Sequence, residues 1–150
     1  MRRRASQVRL LHGANHNKRG MIVMKGLIIY PGAPPKEIAL SGTLESLQSA
    51  VDGYIEALYP FDDPVALVCN EGGKFNGMKA NRALYDGERS GNFRSGEIYD
   101  IICGPFLILG IGQDDFTDLP EELLWKYKSR FQLPEVFGLN EEGNIVVFFS

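Results

Sequence analysis

Histidine is nearly absent from this chain: His12 and His16 are the only two in 150 residues, and both lie near the N-terminus. The rest of the chain therefore lacks the commonest general base at neutral pH and the usual ligand for transition metals. Cysteine is equally scarce. Cys69 and Cys103 lie inside the apolar runs VALVC and DIIC, which reads as two buried, reduced thiols. This supply of ligands argues against a structural zinc site. No run approaches the roughly 18 apolar residues of a membrane span, so no membrane association is expected. No serine stands in a G-x-S-x-G context, which argues against a nucleophile elbow. The single G-x-G, Gly110-Ile111-Gly112, lacks its third glycine, and Asp114 and Asp115 behind it would face a phosphate. No cofactor is expected.

Acid is missing from one region. Residues 1–25 hold seven basic side chains and no acidic one, so the remainder carries nine basic and nineteen acidic groups, a net of −10. A body of that charge repels a nucleic-acid backbone, and nucleic acid is expected only through the basic arm. That arm has no apolar core of a signal peptide and no hydrophobic periodicity, and residues 1–20 read as a disordered basic extension. RRRAS at Arg2–Ser6 has the form of a basophilic kinase site, and Met21 or Met24 could each serve as the true start. Residues 21–150 read as one domain. With 44% hydrophobic and 23% charged residues, the chain has the composition of a soluble globular protein. At that size it needs no disulfide or metal to fold, and a cytoplasmic location follows.

The pattern along the chain predicts an α+β domain, with a mixed or antiparallel sheet of about six or seven strands and two helices. Leu27–Tyr30, Glu37–Leu40, Tyr54–Tyr59, Val65–Cys69, Ile98–Cys103, Phe106–Ile111 and Ile145–Phe149 read as strands. The last is expected at an edge of the sheet. Gly104-Pro105 marks a bend between two of them. Thr43 reads as the N-cap of a helix carrying Leu44, Leu47 and Val51, with Gly53 closing it in a left-handed conformation. Asp118-Leu119-Pro120-Glu121 reads as a capping box ahead of Leu123, Leu124, Tyr127 and Phe131. Lys126, Lys128 and Arg130 fall late in that helix, where cations suit its dipole. The polar, glycine-rich stretch from Met78 to Gly96 reads as a mobile surface loop.

The polar break after Val65–Cys69 is the chemically richest stretch. Asn70, Glu71 and Lys74 follow the apolar run directly, with Asn76, Asn81 and Arg82 close behind. Hydrogen-bonding groups at the end of a buried strand are where binding sites often lie. The EGGK segment could form an anion-binding nest, although a glycine-rich turn explains it as well. Glu56, Glu71 and Asp100 are carboxylates in or beside strands, and paired carboxylates would permit acid/base chemistry. Arg82 could grip an anion in bidentate fashion, or pair with Asp100 or Glu56.

Several of these pieces recur in one order. Leu47-Gln48 and Gly53-Tyr54-Ile55-Glu56 lead to Cys69-Asn70-Glu71, Gly73-Lys74 and Asn76-Gly77. Asn81-Arg82-Ala83 and then Asp100-Ile101-Ile102 with Gly104 and Phe106 complete the set. From Leu47 to Gly110 the chain resembles the bacterial and phage family catalogued as domain of unknown function 3846. The basic arm lies outside that pattern, and the loop around Gly87–Gly96 is longer. The resemblance implies a compact cytoplasmic domain of a bacterium, phage or mobile element, and it brings no activity with it.

The leading expectation is a small non-enzymatic binding module for a small ligand or protein partner. Its site residues would be Asn70, Glu71, Lys74, Asn76, Asn81, Arg82, Asp100 and Glu56, with Arg82 or Lys74 pointing into a concave site. An alternative is an acidic interaction protein that mimics DNA and blocks a nucleic-acid enzyme. A second is a hydrolase or transferase using Glu56, Glu71 or Asp100.

Overall fold

The computed structural model describes residues 23–149. The expected disordered extension, residues 1–20, lies outside them. The elements are β1 (Val23–Ile29), β2 (Lys36–Ser41), α1 (Leu44–Val51), β3 (Ile55–Leu58) and β4 (Val65–Asn70). They continue as β5 (Ala80–Tyr85), a 3-10 turn (Asp86–Ser90), β6 (Ile98–Cys103), β7 (Phe106–Ile111) and β8 (Phe116–Thr117). The chain then forms α2 (Glu121–Arg130), β9 (Val136–Leu139) and β10 (Ile145–Phe149). The fold is α+β and its strand pairings are antiparallel, as the sequence suggests.

The central sheet runs β2-β1-β7-β4-β3, with β8 added on β7. Its two central strands, β4 and β7, are almost wholly buried and nearly continuous apolar runs because both faces are covered. On β4, Val65, Leu67 and Cys69 join Phe106, Ile108, Tyr127 and Phe131 on the face under α2. Ala66 and Val68 join Leu107, Leu109, Leu47 and Val51 on the face under α1. Each helix is too short to persist alone and is held by this burial. The β5–β6 hairpin belongs to the α2 layer, where Leu84 and Ile102 enter the core.

Thr43 caps α1 as expected, its Oγ1 accepting from Ser46 N–H at 3.2 Å. The end differs by one residue. Asp52, with φ 61°, takes the left-handed position, while Asp52 N–H and Gly53 N–H donate to Ser49 O and Gln48 O. This paired pattern places the left-handed residue one before the glycine. The expected capping box of α2 is absent. Pro120 is the N-cap, and Asp118 Oδ1 instead accepts from Lys25 N–H at 2.9 Å, tying β1 to the helix entry.

Three larger departures concern which strands pair, with β5–β6 and β9–β10 forming hairpins of their own. The stretch expected as a mobile loop from Met78 to Gly96 contains β5, buried from Asn81 to Tyr85. β10 does not border the central sheet; it pairs only with β9 in a separate two-stranded hairpin. β6 and β7, separated by Gly104-Pro105, belong to different sheets. The described strands therefore number ten, with six in the central sheet.

Candidate functional site

Most of the polar residues singled out by the sequence serve the main chain of the body. Asn70 ends β4 under the C-terminus of α1, where its Nδ2 donates to Val51 O and Asp52 O at 3.1 and 3.0 Å. Helix C-termini leave carbonyls without partners, and this amide supplies them. Its Oδ1 accepts from Gly72 N–H at 2.8 Å, and its carbonyl accepts from Gly73 N–H. Both donors that an anion nest at EGGK would need are thus engaged. Glu71 and Asn76 are exposed on this turn. The turn lies hard against β6: a Cβ on Gly73 would come within 2.4 Å of Cys103 O.

Asn81 and Arg82 form a second anchor. Asn81 Nδ2 donates to Ile29 O and Gly104 O, both at 2.8 Å, joining the ends of β1 and β6. Arg82 is 0% exposed. Its guanidinium donates to Phe131 O, Ala33 O, Asn81 O and Asn81 Oδ1 at 2.6–3.2 Å. These partners replace the expected Asp100 or Glu56 carboxylate. Carbonyls from three separate segments converge at this point of the fold, and only a long fork of donors reaches them all. Burial lowers the Arg82 pKa to about 10 against the opposing pull of Glu135, so the group stays charged at neutral pH. Glu56 is buried on β3 and takes a long contact of 3.8 Å from the Cys69 thiol on β4.

Sequence reasoning missed the largest ionic cluster. Arg130 and Glu88 are both 0% exposed and bound to each other through two donors, Nε at 2.8 Å and Nη2. Arg130 therefore lies inside the protein, not on the solvated end of α2. Its Nη1 has no hydrogen-bond partner among the described residues, while its Cζ lies 4.5 Å from the Phe131 ring centre. Glu135 is buried beside it, accepting from Ala83 N–H and Tyr85 Oη at 3.1 and 3.0 Å. Together these side chains close the outer edge of β5. Tyr85 N–H goes to Glu88, Ala83 N–H to Glu135, and Arg130 donates to Ala83 O. An unpaired strand edge attracts other chains, and this one is sealed by charge inside the protein. One signal was available: Arg130 follows Tyr127 by three residues on the inward stripe of α2. Nothing local marks Glu88 for burial.

Two of the expected site residues meet at an open surface. Lys74, on the turn after β4, places its Nζ 2.5 Å from Asp100 Oδ1 on β6. Asp100 is buried at 2% exposure while Lys74 keeps 43% of its side chain in solvent. The pair forms part of a groove of about 530 Å³ between residues 98–101 of β6 and residues 143–145 at the start of β10. That volume falls within the roughly 300–1,000 Å³ typical of ligand sites. Tyr99 lines the same groove, and burial raises its phenol pKa to about 12. The phenol is therefore a neutral hydrogen-bonding group at physiological pH. Cys69 and Cys103 line a neighbouring cleft of about 50 Å³ and are not joined in a disulfide. Burial raises the Cys103 pKa, against the opposing effect of Lys74.

The family model for "Domain of unknown function (DUF3846)" matches residues 24–132, from the start of β1 to just beyond α2. The chain belongs to this family. The match is wider than the resemblance seen from Leu47 to Gly110, and the family's span leaves out the β9–β10 hairpin. No curated protein and no solved structure matches the chain. Among the described residues, no group of three or more His, Cys, Asp or Glu side chains could hold a metal ion. No described helix is long and apolar enough to cross a membrane.

Proposed function

We propose that the protein is a non-enzymatic binding module whose ligand lies in the groove between β6 and the start of β10. The observation that supports this reading is the Lys74–Asp100 pair. A buried carboxylate holds a half-exposed ammonium at the wall of a groove large enough for a ligand. The other buried ionic groups, Glu56, Arg82, Arg130, Glu88 and Glu135, contact the protein itself. The buried, reduced cysteines Cys69 and Cys103 accord with a reducing, cytoplasmic compartment.

Filling the groove tests the reading whatever the ligand is. Asn144 is exposed on the groove wall, so Asn144→Trp adds bulk there without entering the core. Native mass spectrometry of the full chain purified from its host should show a bound species with the parent and none with Asn144→Trp. A species kept equally by both, or found with neither, contradicts it.

A further inference from the structure

We infer that the groove takes an extended, cationic peptide segment of a partner protein, which adds as a strand to the outer edge of β6. This deepens the binding reading above and rests on it. The first support is the shape of the groove. Four consecutive β6 residues, 98–101, line it. Tyr99 is the extra residue of a bulge, whereas Asp100 and Ile101 keep the regular register and point to opposite faces, so a cavity touching both runs along the strand's edge.

Hydrogen bonding identifies which edge. Ala83 and Ile101 are opposite each other in the β5–β6 ladder, yet Ala83 N–H donates away from β6, to Glu135. They are therefore a pair without mutual hydrogen bonds, and the Ile101 N–H and C=O also point outward. In the free chain Asp100 Oδ1 holds that N–H at 2.9 Å. The two edges of the hairpin thus differ. The β5 edge is sealed by Glu88, Glu135 and Arg130, whereas the β6 edge has no strand neighbour among the described residues.

Across the groove, β10 pairs with β9 alone among the described residues and carries neither charge nor proline, the devices that normally guard a free edge. A peptide strand between β6 and the start of β10 would find main-chain partners on β6 and an apolar flank in Ile145. Its charge follows from the rim. Glu97 adjoins Ile98, and Glu141 and Glu142 precede Gly143; all three are exposed, on a body of net charge −10. Lys74 and Asp100 together add no net charge to the groove, and the half-exposed ammonium keeps donors for a peptide carbonyl. Lysine or arginine in the peptide complements that rim.

The test begins with a display library of random peptides of about twelve residues, enough to span a strand, selected on the immobilised full chain. Enriched peptides should alternate apolar and polar residues and carry Lys or Arg. Added to the isotope-labelled chain, a selected peptide should shift the amide signals of residues 98–101 and 143–147. N-methylation of alternate peptide amides should weaken binding about tenfold, the effect of losing one or two main-chain hydrogen bonds. Glu141→Gln with Glu142→Gln should weaken it about threefold at low salt and less at high salt.

Enrichment of no peptide, signals that move elsewhere, or affinity indifferent to N-methylation would each overturn the inference. So would a second copy of the chain filling the groove, seen as a concentration-dependent dimer that protects the same amides. If only inorganic phosphate moves the groove signals, and Lys74→Met abolishes that, the peptide inference fails while the binding reading stands. If Asn144→Trp changes neither peptide nor phosphate binding, both fail.

Discussion

The two sides of the β5–β6 hairpin use oppositely charged side chains to opposite ends. On the β5 side, Arg82, Arg130, Glu88 and Glu135 are buried, and their bonds go to carbonyls, amides and each other. On the β6 side, Lys74 and Asp100 also pair, but the lysine remains half in water beside a groove. A charge removed from water must find a counter-charge or other polar partners inside the protein, which fixes its neighbours and closes it off from a ligand. A charge still in water keeps that capacity. Burial, more than residue type, therefore separates the structural polar groups of this fold from the candidate binding group.

The comparison breaks most visibly at Glu88. Glu88→Ala leaves Arg130 buried without its counter-ion, and urea denaturation should show a loss of about 3–5 kcal/mol; a loss under about 1 kcal/mol would place Arg130 in solvent. Arg82→Met should cost about 2–4 kcal/mol by stranding the carbonyls of Phe131 and Ala33, and this loss should not depend on salt. Gly73→Ala tests the contact between the turn and β6. Its Cβ would meet Cys103 O at 2.4 Å, so a loss of about 1–3 kcal/mol and shifted Lys74 signals are expected.

A smaller effect belongs to the pair under α2. Burial works to raise the Asp63 pKa, but bonds from Lys126 and Tyr127 hold it below its ordinary 3.8. The folded state thus favours the ionised form. Its contribution is complete above about pH 4 and disappears as pH falls through the lower folded value. Burial, then Asp63, pushes the Tyr127 phenol up from its ordinary 10.0, so that contribution is present below pH 10 and lost as pH rises. Tyr127→Phe should cost about 1 kcal/mol near neutrality and flatten both limbs of the stability–pH curve.

The central sheet was legible because its strands are short apolar runs bounded by glycine and proline, and α1 because Thr43, Leu47 and Val51 follow helical spacing. β5 was not. ANRALY carries an asparagine and an arginine, and its polar groups are buried only because Phe131, Ala33 and Gly104 arrive from elsewhere to meet them. The same holds for Glu88 and Glu135, which take Arg130 and Tyr85 as partners from roughly 40–50 residues away. Lys74 and Asp100 were both named from the sequence as separate residues. Their union needs the turn after β4 to fold back on β6, and the two glycines at 72 and 73 only hint at that. The β9–β10 hairpin had a legible strand and an illegible place, since IVVFF reads equally well at the edge of any sheet.

The most direct measurement is the unfolding free energy of Lys74→Met beside that of Glu88→Ala, in one urea series. Removing the half-exposed ammonium leaves the Asp100 carboxylate with the Ile101 N–H at the wall of an open groove, so it should cost about 1–2 kcal/mol, while loss of the fully buried Glu88 carboxylate should cost about 3–5 kcal/mol. Equal losses, or a larger loss at Lys74, would make the groove pair another structural anchor and contradict the separation of a sealed side from a binding side.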